Sequence, residues 1–263
     1  MQNRIDKLFA QKKENVLSIF FTAGFPNLKD TTLILEALEQ SEADLIEIGI
    51  PFSDPLADGP VIQQSSLTAL ENGMNLNLLF QQLKDIRITA KKPILLMGYL
   101  NSVMQFGIEK FYKQCAAVGV DGVILPDLPL EEFEMYHRRI TEALNIKVIF
   151  LISADTRPER IRQLDEASGG FLYLLSSNST TGGVNGVSDL LLSKVAAVKE
   201  SVAKNPLLIG FGIKGQKEFS MACEIANGAI IGSAFIELLT RSHNFKKDIA
   251  EFTSIVKTKL IAS

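Results

Sequence analysis

The sequence predicts an α/β fold, a single-domain TIM (β/α)8 barrel over residues 1–263, with an extra N-terminal helix and additional helices. Three observations predict it: eight short apolar runs, helix-period segments between them, and a length of 263 residues, at which such a barrel forms one domain. The runs lie at 17–22, 45–50, 93–99, 122–126, 148–153, 171–176, 207–212 and 229–232. They are mostly continuous rather than alternating, the pattern of parallel strands covered on both faces. A doubly wound sheet, the main rival, would carry its phosphate glycines as GxGxxG after the first strand. The first turn instead reads Thr22-Ala23-Gly24-Phe25-Pro26.

The helices follow in order. Ile5, Leu8 and Phe9 share a helical face in a charged N-terminal segment that lacks the apolar core of a secretory signal. Asn27 is placed to cap a helix from Leu28, with Asp30 near its positive end. Two helices fit between the second and third runs, divided near Gly73-Met74-Asn75. Ile108, Phe111, Tyr112, Cys115 and Ala116 keep helical spacing up to a stop at Gly119. Thr156 can cap a helix carrying Ile161 and Leu164, and Ser188 one carrying Leu191, Leu192 and Val195.

Composition narrows the function. Hydrophobic residues at 46% and charged residues at 22% fit an ordinary globular protein. A net charge of −3 offers no global attraction to nucleic acid, and no apolar run reaches transmembrane length, so a cytoplasmic protein is expected. Cys115 and Cys223 form no CxxC pair and are expected as buried free thiols, with no metal site. His137 and His243 sit among polar neighbours and read as surface residues, which leaves acid–base chemistry to carboxylates and tyrosines.

Glu47 stands inside the second run, Leu45-Ile46-Glu47-Ile48-Gly49. Side chains alternate along a strand, so if Ile46 and Ile48 face the helices, Glu47 points into the barrel. A carboxyl there is costly unless paired, solvated or protonated, and burial raises its pKa, which makes it a candidate acid or base. The plainer reading is a strand-end glutamate bonded to a neighbouring loop. The loop that follows carries Asp54 and Asp58 at the strand's C-terminal end, where barrel active sites lie. Both could equally organise turns, Asp54 before Pro55 and Asp58 before Gly59. Gly210-Phe211-Gly212 and Gly232-Ser233 follow the seventh and eighth runs, the places where many barrels hold a phosphate on backbone N–H groups. The polar stretch 176–186 suits a lid, or an unremarkable surface loop.

Read together, these residues resemble one family. GIPFSDPLADGPVIQ at 49–63 is very similar to the signature of the tryptophan synthase α chains, and FFTAGFP (20–26), LMGYLN (96–101), LPDLP (125–129), GFGI (210–213) and GSAF (232–235) extend the resemblance over essentially the whole chain. The resemblance implies a TIM barrel that cleaves indole-3-glycerol phosphate to indole and glyceraldehyde 3-phosphate. It implies no metal and no cofactor in this chain. It also implies a β subunit carrying pyridoxal phosphate, which condenses the indole with L-serine in an α2β2 tetramer. By position it implies Glu47 and Asp58 as catalytic residues and Phe20, Leu151, Tyr173, Thr181 and Phe211 as substrate-binding. Gly182, Gly212, Gly232 and Ser233 fall on phosphate-binding positions, and Asp54 on the loop that meets the β subunit. The lid departs from the family's SxxGVTG at Ser179 and Thr180, and Ser153-Ala154-Asp155 lacks a proline often seen there. Two other readings stand beside the lyase: a different phosphate-binding barrel, and a barrel that only activates a β subunit.

Overall fold

The computed structural model describes residues 2–175, 195–196, 198–210 and 212–258. It forms a (β/α)8 barrel. Its strands are β1 (Val16–Thr22), β2 (Leu45–Gly49), β3 (Ile94–Met97), β4 (Gly122–Ile124), β5 (Lys147–Ile149), β6 (Leu151–Ser153), β7 (Leu172–Leu175), β8 (Leu207–Gly210) and β9 (Gly228–Ile231). All the pairings are parallel, in the order β5-β4-β3-β2-β1-β9-β8-β7-β6.

That order closes the barrel through one stretch of chain. The expected run at 148–153 appears as two short strands divided at Phe150. The first half pairs with β4 and the second with β7. The backbone stays tied across the break, because Tyr173 N donates to Phe150 O at 3.0 Å. Nine strands therefore occupy eight positions, each run from the sequence supplying one. The strands are buried almost end to end because helices cover them outside and side chains fill them inside.

Most helices form where the apolar spacing places them. Arg4–Gln11 begins at Asn3, whose side chain accepts from Ile5 N, and Ile5 is fully buried beneath the barrel. Pro60–Glu71 and Leu76–Leu83 fill the long gap after β2, with Asn75 capping the second. Ile108–Val118 ends at Gly119 in the left-handed conformation. Two caps differ from expectation. The helix after β1 is Asp30–Glu39, and Asn27 instead donates to the Asp30 carboxylate. The helix after β6 is Pro158–Ala167, and Thr156 Oγ1 accepts from Ser153 N. In both places the polar side chain serves the preceding turn, a local bond that competes with capping. The Ser188 cap lies outside the described residues.

His137 is also corrected: it is fully buried. Tyr112 Oη lies 2.8 Å from its Nδ1, and burial lowers its pKa. Its neighbours Tyr136 and Arg138 point about 100° away around the helix, so their polarity says nothing of where His137 faces. Phe133 and His137, four apart, share the buried face. Cys115 is buried, Cys223 half-buried, and both are free. Among the described residues no helix is long and apolar enough to cross a membrane.

The N-terminal end of the barrel is fastened by carboxylates. Asp121, just before β4, bonds Arg4 at 2.9 Å, Arg87, and Ile94 N at 2.9 Å. Asp44, just before β2, takes Lys12 at 2.7 Å, Lys257, and Leu17 N at 2.8 Å. Asp165 accepts three backbone N–H groups, from Ala203, Lys204 and Asn205, and so ties its helix to the segment entering β8. Removing Asp121 would strand Arg87, which is mostly buried, and orphan Ile94 N–H. Asp121→Ala is therefore expected to cost about 3–5 kcal/mol in urea unfolding, whereas Glu109→Ala, which breaks an exposed pair with Lys113, should leave the unfolding midpoint nearly unchanged. Equal losses in the two variants would contradict the anchoring role.

Candidate active site

Paired residues of parallel strands share a level and a face, so the register shows what surrounds Glu47. It stands between Phe20 of β1 and Leu95 of β3. Ile46 and Ile48 turn to the other face, and all three side chains are fully buried. Ser18 Oγ donates to Glu47 Oε1 at 2.6 Å. Glu47 Oε2 is buried with no hydrogen-bond partner among the described residues. Desolvation raises the Glu47 pKa from 4.5 to about 7, partly offset by the Ser18 bond.

Asp58 reaches the same end of the barrel on the loop after β2. Pro55 O accepts from Asp58 N at 3.0 Å to form a turn, and Gly59 then leads into the helix starting at Pro60. Tyr99, which follows β3, straps this loop. Its hydroxyl accepts from Ala57 N and donates to Asp58 Oδ2, each at 3.0 Å. Phe52 stacks on its ring at 5.0 Å between centroids. Desolvation raises the Asp58 pKa from 3.8 to about 6, against the lowering effect of the Tyr99 bond.

Beside Asp58 opens a cavity of about 170 Å³; Glu47 lies behind its wall, next to Phe20 and Tyr173, which line it. Phe20, Met97, Tyr173 and Ile230 rise from the strands around it, and Asp58 and Ile62 border it from the β2 loop and the helix that follows. Its far side is Gly212, Ile213, Lys214, Gly232, Ser233 and Ala234. Burial first, then the charges of Glu47 and Asp58, hold the Tyr173 hydroxyl well above the usual range, so it stays a neutral donor and acceptor. Two glycines make room for the rings. A Cβ on Gly49 would lie 2.5 Å from the Phe20 ring, and one on Gly210 would overlap the Tyr173 hydroxyl oxygen.

At the far side, the helix Ser233–Arg241 opens at Gly232 with no side-chain cap, and its first residues, Ser233 and Ala234, line the cavity. Lys214 adds an exposed cation with no ion pair among the described residues. A helix N-terminus of this kind favours an anion.

The family follows from this geometry and from comparison. The family model described as tryptophan synthase alpha chain matches residues 7–261. The chain belongs to that family. It is 46% identical over 254 residues to the tryptophan synthase alpha chain of Bacteroides fragilis, covering 97% of each chain. Against that of Flavobacterium psychrophilum it is 47% identical over 252 residues, covering 96% of this chain and 98% of the other. Among solved structures, the alpha chain from Legionella pneumophila superposes with a TM-score of 0.86 at 31% identity, covering 97% and 96%. A chain of the tryptophan synthase complex from Pyrococcus furiosus gives 0.83 at 30% identity, covering 93% and 98%. As a tryptophan synthase alpha chain it is a carbon–carbon lyase acting on indole-3-glycerol phosphate.

Of the residues singled out by sequence, Asp58, Phe20, Tyr173, Gly212, Gly232 and Ser233 line one cavity, and Glu47 sits behind Phe20 without bordering it. Leu151 pairs with Tyr173 but does not border the cavity. Asp54 is exposed on the outer turn of its loop. Thr181, Gly182 and Phe211 lie outside the described residues, as do Ser179 and Thr180. Sequence reasoning missed Ser18, Tyr99 and Lys214. Tyr99 lay within LMGYLN, and Ser18 was a lone hydroxyl between apolar neighbours, but neither signal names a role. Among the described residues no group of three His, Cys, Asp or Glu side chains could share a metal.

Because the Tyr173 ring fills the space that a Cβ at Gly210 would need, Gly210→Ala is expected to shift the ring and lower kcat/KM about 10- to 100-fold. Steady-state kinetics with a melting curve checks this. A folded variant of wild-type activity would show that the position of Tyr173 is immaterial.

Proposed function

We propose that Glu47 moves the protons of the lyase reaction. Indole C3 must gain a proton for the side chain to leave, and the glycerol hydroxyl must lose one. One carboxyl group can do both in turn if its pKa lies near the working pH. The observation that carries this reading is a fully buried carboxyl, with one oxygen unpartnered among the described residues, whose pKa rises to about 7 next to the Phe20 and Tyr173 that line the cavity. Asp58, which stays anionic above about 6, accepts from the indole N–H and stabilises the positive charge that grows on the ring. Phe20 and Met97 wall the indole, and Tyr173 stands beside the reacting carbon. The phosphate sits on the backbone of Gly212, Gly232 and Ser233, with Lys214 balancing its charge. The family resemblance adds Leu151, Phe211 and Thr181 as substrate-binding and Gly182 as phosphate-binding.

The chain works as a single domain in the cytoplasm and hands its indole to a β subunit carrying pyridoxal phosphate, in an α2β2 tetramer. Asp54 and Leu56, the latter 92% exposed, stand on the loop that also carries Asp58, so a partner docking there would touch the site's own strap. The Pyrococcus furiosus relative being a complex supports a partner of this kind.

The competent enzyme starts with Glu47 protonated and Asp58 ionised. The kcat/KM profile for indole release should therefore rise through an acid limb near 6 and fall through an alkaline limb near 7. Glu47→Gln and Asp58→Asn should each lower turnover about 10²- to 10⁴-fold with the circular dichroism unchanged. Full activity in both variants sinks these roles. Absence of indole with and without a β subunit, while that subunit is still activated, would favour the barrel as a pure activator.

Lys214→Gln should raise KM about 3- to 10-fold, leave kcat nearly unchanged and weaken the salt dependence of kcat/KM. Indole-glycerol without its phosphate should not distinguish the variant from wild type. An equal loss on both substrates would mean that Lys214 does not meet the phosphate.

A further inference from the structure

Ser18 is a polar residue in an apolar layer. It is fully buried in β1, and its direct partners across the sheet are Leu45 of β2 and Ile230 of β9. A hydroxyl in that position is costly unless it finds a partner. Its partner is Glu47 Oε1, one layer nearer the cavity, at 2.6 Å. The other carboxyl oxygen, Oε2, is equally buried and has no partner among the described residues.

We propose that Ser18 is a positioning residue: its hydroxyl grips Glu47 Oε1 and thereby assigns proton transfer to Oε2. The inference rests on Glu47 being the group that moves the protons. A carboxyl carries one O–H in its neutral form, and Oε1 accepts from Ser18 whether the group is charged or neutral. The acid proton is therefore carried on Oε2. Oε2–H gives its proton to indole C3. Oε2, now part of a carboxylate, takes the hydroxyl proton from the side-chain carbon attached to C3. The C–C bond breaks, its electron pair returns to the ring, and an aldehyde forms on the departing fragment. The carboxyl ends protonated on Oε2, as it began, and no further reactant is consumed.

The grip has a second effect. A donor to the carboxylate favours its charged form, and this opposes the desolvation that otherwise keeps a buried carboxyl neutral. Without Ser18 the group would give up its proton less readily. Tyr173 is the titratable group that feels its charge, and it feels that of Asp58 as well.

The test is a carbon-13 titration of the full chain with labelled glutamate carboxyls, the Glu47 signal being identified by its loss in Glu47→Gln. Ser18→Ala removes only an oxygen atom. It is expected to raise the Glu47 midpoint by about 1 pH unit, carry the alkaline limb of kcat/KM with it, and lower kcat about 10-fold at unchanged KM. Ser18→Thr, which keeps the hydroxyl, should return the midpoint toward wild type. An unmoved midpoint with unmoved kcat in Ser18→Ala overturns the proposal. A midpoint that moves while Glu47→Gln stays active overturns the catalytic role of Glu47 and leaves the grip standing.

Discussion

A carboxyl group sealed inside the barrel with one hydrogen-bond donor is the constraint on which the rest of the site depends. Water cannot reach Glu47, and among the described residues the Ser18 hydroxyl is its one hydrogen-bond donor. Desolvation, which that single donor only partly offsets, moves it to about 7. The strands must keep it there, because a slip of one residue would turn Glu47 onto the helices and Ile46 or Ile48 onto the substrate. Register is secured by the long pairing of β1 with β2, five residues from Ser18–Leu45 to Thr22–Gly49.

The barrel sorts its acids by end. At the N-terminal end, Asp44, Asp121 and Asp165 each hold several donors and fasten elements far apart in sequence. Nearer the cavity, Glu47 has one donor, and Asp58 is given one by Tyr99. Saturated carboxylates hold structure, and starved ones have pKa values that a substrate can shift. The two kinds differ in partners and not in residue type, so an aspartate count says nothing about which is which.

This explains what was legible. The eight runs were visible because strands covered on both faces read as unbroken apolar stretches, and the break at Phe150 was not, because nothing in Val148–Ser153 changes in polarity there. Glu47 was legible because a carboxylate interrupts such a run. The Asn27 and Thr156 caps were misread because these side chains can bond a turn as well as a helix end, and the choice is made by the fold. His137 was misread from neighbours that occupy other faces of its helix. Ser18 is the instructive omission. A serine in a strand carries no message by itself; its meaning comes from Glu47, on the next strand 29 residues away. Lys214 likewise gains its meaning from Gly232 and Ser233, which the pairing of β8 with β9 brings near.

The same starvation sets a stability cost, and its sign is fixed. Glu47 binds its proton more tightly in the folded chain, at about 7, than in the unfolded chain, near 4.5. Between those values the folded state holds the extra proton, so stability falls as pH rises through the window and the loss is complete above the folded value. Its size is about 3 kcal/mol, a large share of what a domain has. Asp44, Asp121 and Asp165 fasten the other end of the same strands and helices, and with them the barrel can carry such a group in its interior. A barrel with an apolar residue at position 47 would be more stable above neutrality, and it would have nothing with which to move a proton.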